Sequence, residues 1–340
     1  MGKNDLLDIS ELHIYNPGSN KEVTEYYVGI IRDAFQKLDV KTINLESIDA
    51  NKKYIDKGIL VTNLSDVKLA KRAKYKKIIC WVQGVGPEEY LMCTKNKLMF
   101  LVLSLLERMR LKKCNFVVFC SDRMRHHYEY KYRLYFKNYY VMPCFNEEIH
   151  YEEIVKKDYL DNVFVYAGSM AKWQCFEETL DVYKKIESIV PHSQLQVYVK
   201  DIESAKRIIK QKGINNYIVD YVSPEKLKER LKKAKYGFCI REDTVVNQVA
   251  TPTKLSNYIS NGVIPVYSTC IDSFHKVAQR SKYCIGIKDG SEIEKLFMEQ
   301  KEVSGEDIVK DYQYNFGKYY SSDYHVQKLI QTINENSKHE

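Results

Sequence analysis

The chain predicts an α/β protein of two domains, each a doubly wound parallel sheet. Its 340 residues exceed what one hydrophobic core usually holds, so two domains of roughly 150 residues are expected. Short apolar runs alternate with amphipathic helical stretches along most of the chain, most regularly in its second half, which is the order of a parallel sheet. The clearest unit is Tyr236–Ser268, where two apolar runs, Tyr236–Ile240 and Ile264–Tyr267, flank a helix with marked ends. Thr251 suits an N-cap, Pro252 the first helical position, Leu255, Tyr258 and Ile259 the apolar face, and Gly262 the end.

In chain order, residues 1–146 form the first predicted domain. Its strands are read at Leu12–Tyr15, Val40–Asn44, Gly58–Thr62, Ile78–Gln83, Asn115–Cys120 and Tyr139–Met142. Helices are read from Glu22 to Leu38, from about Pro87, over Lys97–Lys113 and over Ser121–Lys131. The loop Asn16-Pro17-Gly18-Ser19-Asn20 after the first strand lacks G-x-G-x-x-G, so nothing there supports a dinucleotide. Residues 147–162, polar and acidic, read as a linker. The second domain spans 163–315, with strands at Val163–Ala167, Leu195–Val199, Tyr217–Val219, Tyr236–Ile240, Ile264–Tyr267 and Tyr283–Ile285. Between them helices are expected near 173–189, 202–212, 224–234, 252–261, 271–280 and 291–299. The tail, 316–340, carries a helical stretch at Tyr324–Ile333.

Composition narrows the function classes. Net charge is +8, from 53 Lys and Arg against 45 acids, a moderate excess that suits an anionic ligand, a membrane surface or nucleic acid. Nine cysteines stand singly, with no C-x-x-C pair and no zinc spacing, as expected of reduced thiols in a cytoplasmic protein without a metal site. No signal peptide is evident. The longest uncharged apolar run, Leu98–Leu106, falls far short of the roughly 20 residues that cross a bilayer. It lies in a helix whose apolar side is Leu98, Leu101, Val102, Leu105, Leu106 and Met109. The basic end of that helix, Arg108–Lys113, suits either peripheral contact with anionic lipid or an ordinary C-terminal turn.

Candidate site residues gather at strand ends. The loop Arg241–Thr251 follows a strand, where open α/β sheets bind ligands. Thr251, Thr253 and Lys254 surround a helix N-terminus whose free N–H groups attract an anion, and Lys254 and Arg241 add full charges. Gly168 and Ser169 end another strand, with Lys172 entering the next helix, a second phosphate seat. Two seats suit one diphosphate. Gly84 and Gly86, after Gln83, let backbone approach a ligand.

The stretch R-E-D-x3-N-x-V-A-T-P-T-K-L-x-N-Y-x3-G-V-I-P-V resembles the nucleotide-sugar motif of GT-B glycosyltransferases related to family 4. Tyr166–Gln174 and Trp81–Glu89 agree with it, in the expected order along the chain. The resemblance implies the GT-B fold, two Rossmann-like domains facing a cleft, with the acceptor on the first domain and the tail helix crossing back to it. It implies a sugar moved from a UDP-, GDP- or other nucleotide-sugar to a hydroxyl of a glycan or lipid-linked glycan, with retention of configuration and no further cofactor. The setting would be bacterial surface polysaccharide assembly, in the cytoplasm or at the inner face of the plasma membrane. By the same resemblance Gln83 stands beside the transferred sugar, and Asn16 and Gly18 border the acceptor or donor phosphate. An amide is no general base, so such a role would fall to Glu88 or Glu89; both also suit a helix start. The sequence departs from the family where many relatives carry glutamates, at Val249 and Asn257. Asn257 can still bond a ribose hydroxyl, and Arg241, Glu242, Asp243 and Asn247 stand in for the first carboxylate. No Asp-x-Asp pair occurs, so the diphosphate is expected to be neutralised by side chains and helix ends rather than a metal. A rival reading is a basic, non-catalytic nucleotide- or nucleic-acid-binding protein of the same fold.

Overall fold

The apolar runs become two parallel six-stranded sheets in the computed structural model, which describes residues 6–18, 21–159, 162–288, 290, 293, 297 and 303–336. Contacts divide the chain into two units. Unit 1 is Met1–Asn146 with Ser321–Glu340, and unit 2 is Glu147–Tyr320.

Unit 1 holds β1 (Glu11–Tyr15), β2 (Lys41–Leu45), β3 (Gly58–Val61), β4 (Lys77–Val82), β5 (Phe116–Phe119) and β6 (Tyr139–Val141), in the order β2-β1-β3-β4-β5-β6. β3, β4 and β5 are buried on both faces, as covered parallel strands must be. Helices Lys21–Gln36, Gly86–Thr94, Lys97–Leu111 and Asp122–Tyr132 fall where periodicity places them, and Val67–Arg72, unforeseen, adds another. The tail helix, Ser322–Asn336, packs within unit 1. Leu329 and Ile333 are buried, and the Tyr26 hydroxyl lies 2.8 Å from Ser322 Oγ, as does the Tyr140 hydroxyl from His325 Nδ1.

Helix Lys97–Leu111 is turned opposite to ordinary amphipathic packing. Ser104 and Glu107 are its buried polar residues, while Leu98, Leu101, Val102, Leu105 and Met109 face solvent. The Tyr128 and Tyr132 hydroxyls donate to the two Glu107 oxygens at 3.1 and 2.5 Å, which is why a carboxylate is tolerated inside.

Unit 2 holds β7 (Val163–Ala167), β8 (Gln194–Tyr198), β9 (Tyr217–Asp220), β10 (Tyr236–Cys239), β11 (Ile264–Ser268) and β12 (Ile285–Ile287), in the order β12-β11-β10-β7-β8-β9. The order reverses between β7 and β10, whose register pairs Tyr236 with Phe164 and Gly237 with Val165. Such a reversal leaves a crevice at the strands' carboxyl ends. β12 begins two residues later than expected because the Tyr283 carbonyl accepts from the Tyr312 hydroxyl at 3.1 Å, outside the ladder.

Three readings change. Residues 147–162, read as linker, belong to unit 2: Tyr151–Val155 is helical, and Lys157 Nζ donates to the carbonyls of Leu231, Asn261 and Gly262 at 3.0, 2.9 and 3.2 Å. Helix Gly305–Phe316 was missed, although Ser304 caps it and Ile308, Tyr312 and Phe316 recur at helical spacing. The expected helix 291–299 lies mostly outside the described residues.

Candidate functional site

A cavity of about 300 Å³ opens at the switch point of unit 2. Ala167 and Gly168 from the end of β7, Arg241 from the end of β10, and Thr253, Lys254 and Asn257 from helix Thr253–Ser260 line it. The helix stands close over the sheet because β10 carries Gly237: a Cβ there would meet the Tyr258 ring at 2.7 Å. Tyr258, beneath the cavity, donates to the Phe238 carbonyl at 3.2 Å.

Lys254 is the centre of the site. Its stem is partly exposed, but its ammonium is buried and has no hydrogen-bond partner. It rests 4.2 Å from the centroid of the Tyr166 ring and fills the face of Gly168, where a Cβ would lie 3.3 Å from Nζ. Gly168 itself has φ +143°, a conformation that favours glycine. Burial, with the Arg241 cation adding to it, lowers the Lys254 pKa to about 7.

Arg241 is buried and fixed by neutral groups alone. Its guanidinium donates to the carbonyls of Gln174 and Ile240 at 2.8 and 3.0 Å and to Gln174 Oε1 at 2.6 Å, while its amide donates to Ser268 Oγ at 2.8 Å. Its Nε is buried without a partner, as is Asn257 Oδ1. Two neighbouring cations with no carboxylate among the lining residues leave positive charge that an anion would neutralise.

Several expected residues sit elsewhere. Helix Thr253–Ser260 starts one residue late, because Pro252 is extended, with ψ 121°, and occupies the N-cap that Thr251 was expected to fill. Thr251 does not line the cavity. Lys172 is exposed in a short turn, Lys172–Gln174, and also stays outside the lining. Ser169 is exposed, its Oγ 3.5 Å from the Ala171 amide. Glu242 is exposed, and Asn247, buried in the unforeseen short helix Val245–Val249, donates to its carbonyl at 3.1 Å, a bond that shapes the loop. The sequence reading missed Gln174, which holds Arg241, and the apolar pair Leu227 and Leu231 on the lining. Their spacing of one helical turn on a helix that follows a strand was the available signal.

Unit 1 has its own cavity, about 440 Å³, lined in part by Thr62, Trp81, Gln83, Gly84, Glu89 and Arg110. Gln83, exposed, donates to the Thr62 carbonyl at 3.3 Å. Glu88, expected as the catalytic carboxylate, is absent from this lining. Its Oε1 pairs with His127 at 3.0 Å and Lys131 at 2.7 Å. Burial pushes its pKa up, but those two partners outweigh burial and hold it below the ordinary value. Glu89 faces the cavity, and burial raises its carboxyl although the Val85 amide lies 3.3 Å from Oε1. Asn16 is buried, its Oδ1 accepting from the Thr24 and Thr62 hydroxyls at 3.0 and 3.1 Å, so it ties the first βα connection together. Gly18, with φ +122°, has open space on its Cβ side; Ser19 and Asn20 lie outside the described residues.

No family model and no curated protein matches the sequence. Solved structures do match the fold. Sucrose-phosphate synthase from Thermosynechococcus elongatus aligns with a TM-score of 0.67 at 9% identity, over 96% of this chain and 98% of that one. TarM from S. aureus, solved as a mutant with UDP, alpha-GlcNAc-glycerol and fondaparinux, aligns at 0.63 and 11% identity, over 90% of this chain and 59% of its own length. A UDP-forming alpha,alpha-trehalose-phosphate synthase from Burkholderia vietnamiensis aligns at 0.58 and 8% identity, over 91% and 80%. The chain is thus similar to GT-B glycosyltransferases in fold, with two Rossmann-like α/β units.

Proposed function

We propose that the chain is a glycosyltransferase that moves a sugar from a nucleotide diphosphate sugar to a hydroxyl of a glycan or lipid-linked glycan, in surface polysaccharide assembly. The observation that supports this most is the buried, unpartnered Lys254 ammonium beside Arg241, at the switch point of a fold shared with nucleotide-sugar enzymes. The diphosphate gives both cations a counter-charge. As the bond to the anomeric carbon breaks, negative charge gathers on the departing phosphate, where Lys254 and the first N–H groups of helix Thr253–Ser260 stabilise it. Asn257 Oδ1 accepts from a nucleoside hydroxyl, and Leu227 and Leu231 offer an apolar wall.

In this reading neither a metal nor a further cofactor is needed, since side chains and a helix end neutralise the leaving group. The acid or base, where one is used, is Glu89 rather than Glu88, and retention follows from the resemblance alone. The test is a screen of UDP, GDP and their sugars by thermal shift and by slow sugar hydrolysis. A nucleotide that binds should raise the melting temperature as its concentration passes the dissociation constant, with modest salt dependence. A steep salt slope on oligonucleotides with no nucleotide-sugar response would favour the non-catalytic reading instead.

A further inference from the structure

We propose that the outward face of helix Lys97–Leu111 lies in the interface of an anionic lipid bilayer, holding unit 1 on a membrane surface without crossing it. Monomeric soluble proteins seldom expose a continuous apolar strip, and this one runs the length of the helix. Leu98 is 75% exposed, Leu101 62% and Leu105 57%, with Val102 and Met109 beside them at helical spacing. The helix has 15 residues, about 22 Å, and among the described residues no helix is long and apolar enough to span a membrane. Its geometry is that of a helix lying in the interface plane.

Charge decides what covers the face. Exposed Lys95 and Lys97 stand at one end, and exposed Lys112 and Lys113 at the other. Glu107 is the helix's one acid, and it points inward to Tyr128 and Tyr132. A second copy docked on this face, parallel or antiparallel, would set lysines against lysines at both ends. Anionic headgroups meet both ends with opposite charge, while acyl chains receive the leucines. The surface belongs to unit 1 and does not depend on the donor reading.

The experiment is vesicle flotation of the intact chain, using phosphatidylcholine alone and phosphatidylcholine with phosphatidylglycerol. Wild type should float with the anionic vesicles and far less with the neutral ones. Leu101→Glu with Leu105→Glu should cut that partitioning at least about tenfold while the melting curve holds, because both side chains already face solvent. Lys112→Glu with Lys113→Glu should remove the preference for anionic over neutral vesicles. The proposal is overturned when wild type stays off anionic vesicles, or when the leucine variant floats as wild type does. It is equally overturned when light scattering shows a wild-type dimer that the leucine substitutions split and vesicles do not bind, since the occupant is then a second copy.

Discussion

Replacing Lys254 by methionine should move stability and binding in opposite directions. Burial beside Arg241 keeps the lysine at an energetic disadvantage: its pKa falls from 10.5 to about 7, which at 1.36 kcal/mol per tenfold corresponds to about 5 kcal/mol. Because the folded value lies below the unfolded one, this cost is fully present below pH 7, shrinks as pH rises toward 10.5, and vanishes above it. The variant lacking the cation should therefore melt higher than wild type at pH 6, by several degrees, with the gap closing at alkaline pH. UDP binding should behave in reverse. A diphosphate restores the ammonium, so wild type should take up protons as it binds, the uptake growing toward one as pH rises above the lowered Lys254 pKa. Titration calorimetry in two buffers of different ionisation enthalpy measures that uptake. In Lys254→Met the uptake should disappear, and turnover should fall roughly 10²–10³-fold. A variant that is less stable at pH 6, or that binds UDP with wild-type affinity and proton uptake, would refute the placing of the diphosphate on this residue.

The remaining expectations are simpler. EDTA should leave most activity intact; a complete loss restored by a divalent ion would sink the side-chain neutralisation scheme. Gln174→Ala should weaken UDP binding and cost about 1–3 kcal/mol in denaturant titration, because it strips a partner from the buried Arg241 guanidinium, whereas Lys172→Ala, exposed and off the cavity, should change neither. Gly237→Ala should lower stability by about 1–3 kcal/mol, since its methyl must push the Tyr258 ring away, and an unchanged melting curve would show the helix has room to shift. Glu89→Gln should lower kcat with little change in donor KM, while Glu88→Gln should chiefly lower the melting temperature by loosening Lys131 and His127; the opposite pattern would return the acid–base role to Glu88.

Both sheets were legible because parallel strands buried on two faces must be apolar throughout, as in Ile78–Val82 and Phe116–Phe119. That Lys254 and Arg241 would meet at one cavity was legible because a strand end and a helix start are adjacent in such a sheet whatever the loops between them do. What sequence could not rank was the competition among similar residues. Lys172 and Lys254 look alike as phosphate ligands, yet the turn Lys172–Gln174 presents glutamine to the site and lysine to solvent. Glu88 and Glu89 differ by one position on a helix, about 100° of rotation, and that alone sends one to His127 and the other to the cavity. Helix Lys97–Leu111 has the apolar stripe of a core helix, and only the buried Glu107 reveals that the stripe points outward.

The pairing of helix Ser322–Asn336 with the first sheet constrains the order of assembly. Unit 2 is one continuous segment, whereas unit 1 is completed by residues beyond 320, which the ribosome makes after all of unit 2. While those residues are still in the exit tunnel, the surfaces of Tyr26 and Tyr140 that meet Ser322 and His325 remain open to water. Vectorial synthesis therefore delivers the chain in one order and closes it in another: the inserted unit has all its sequence first, and unit 1 must wait for helix Ser322–Asn336.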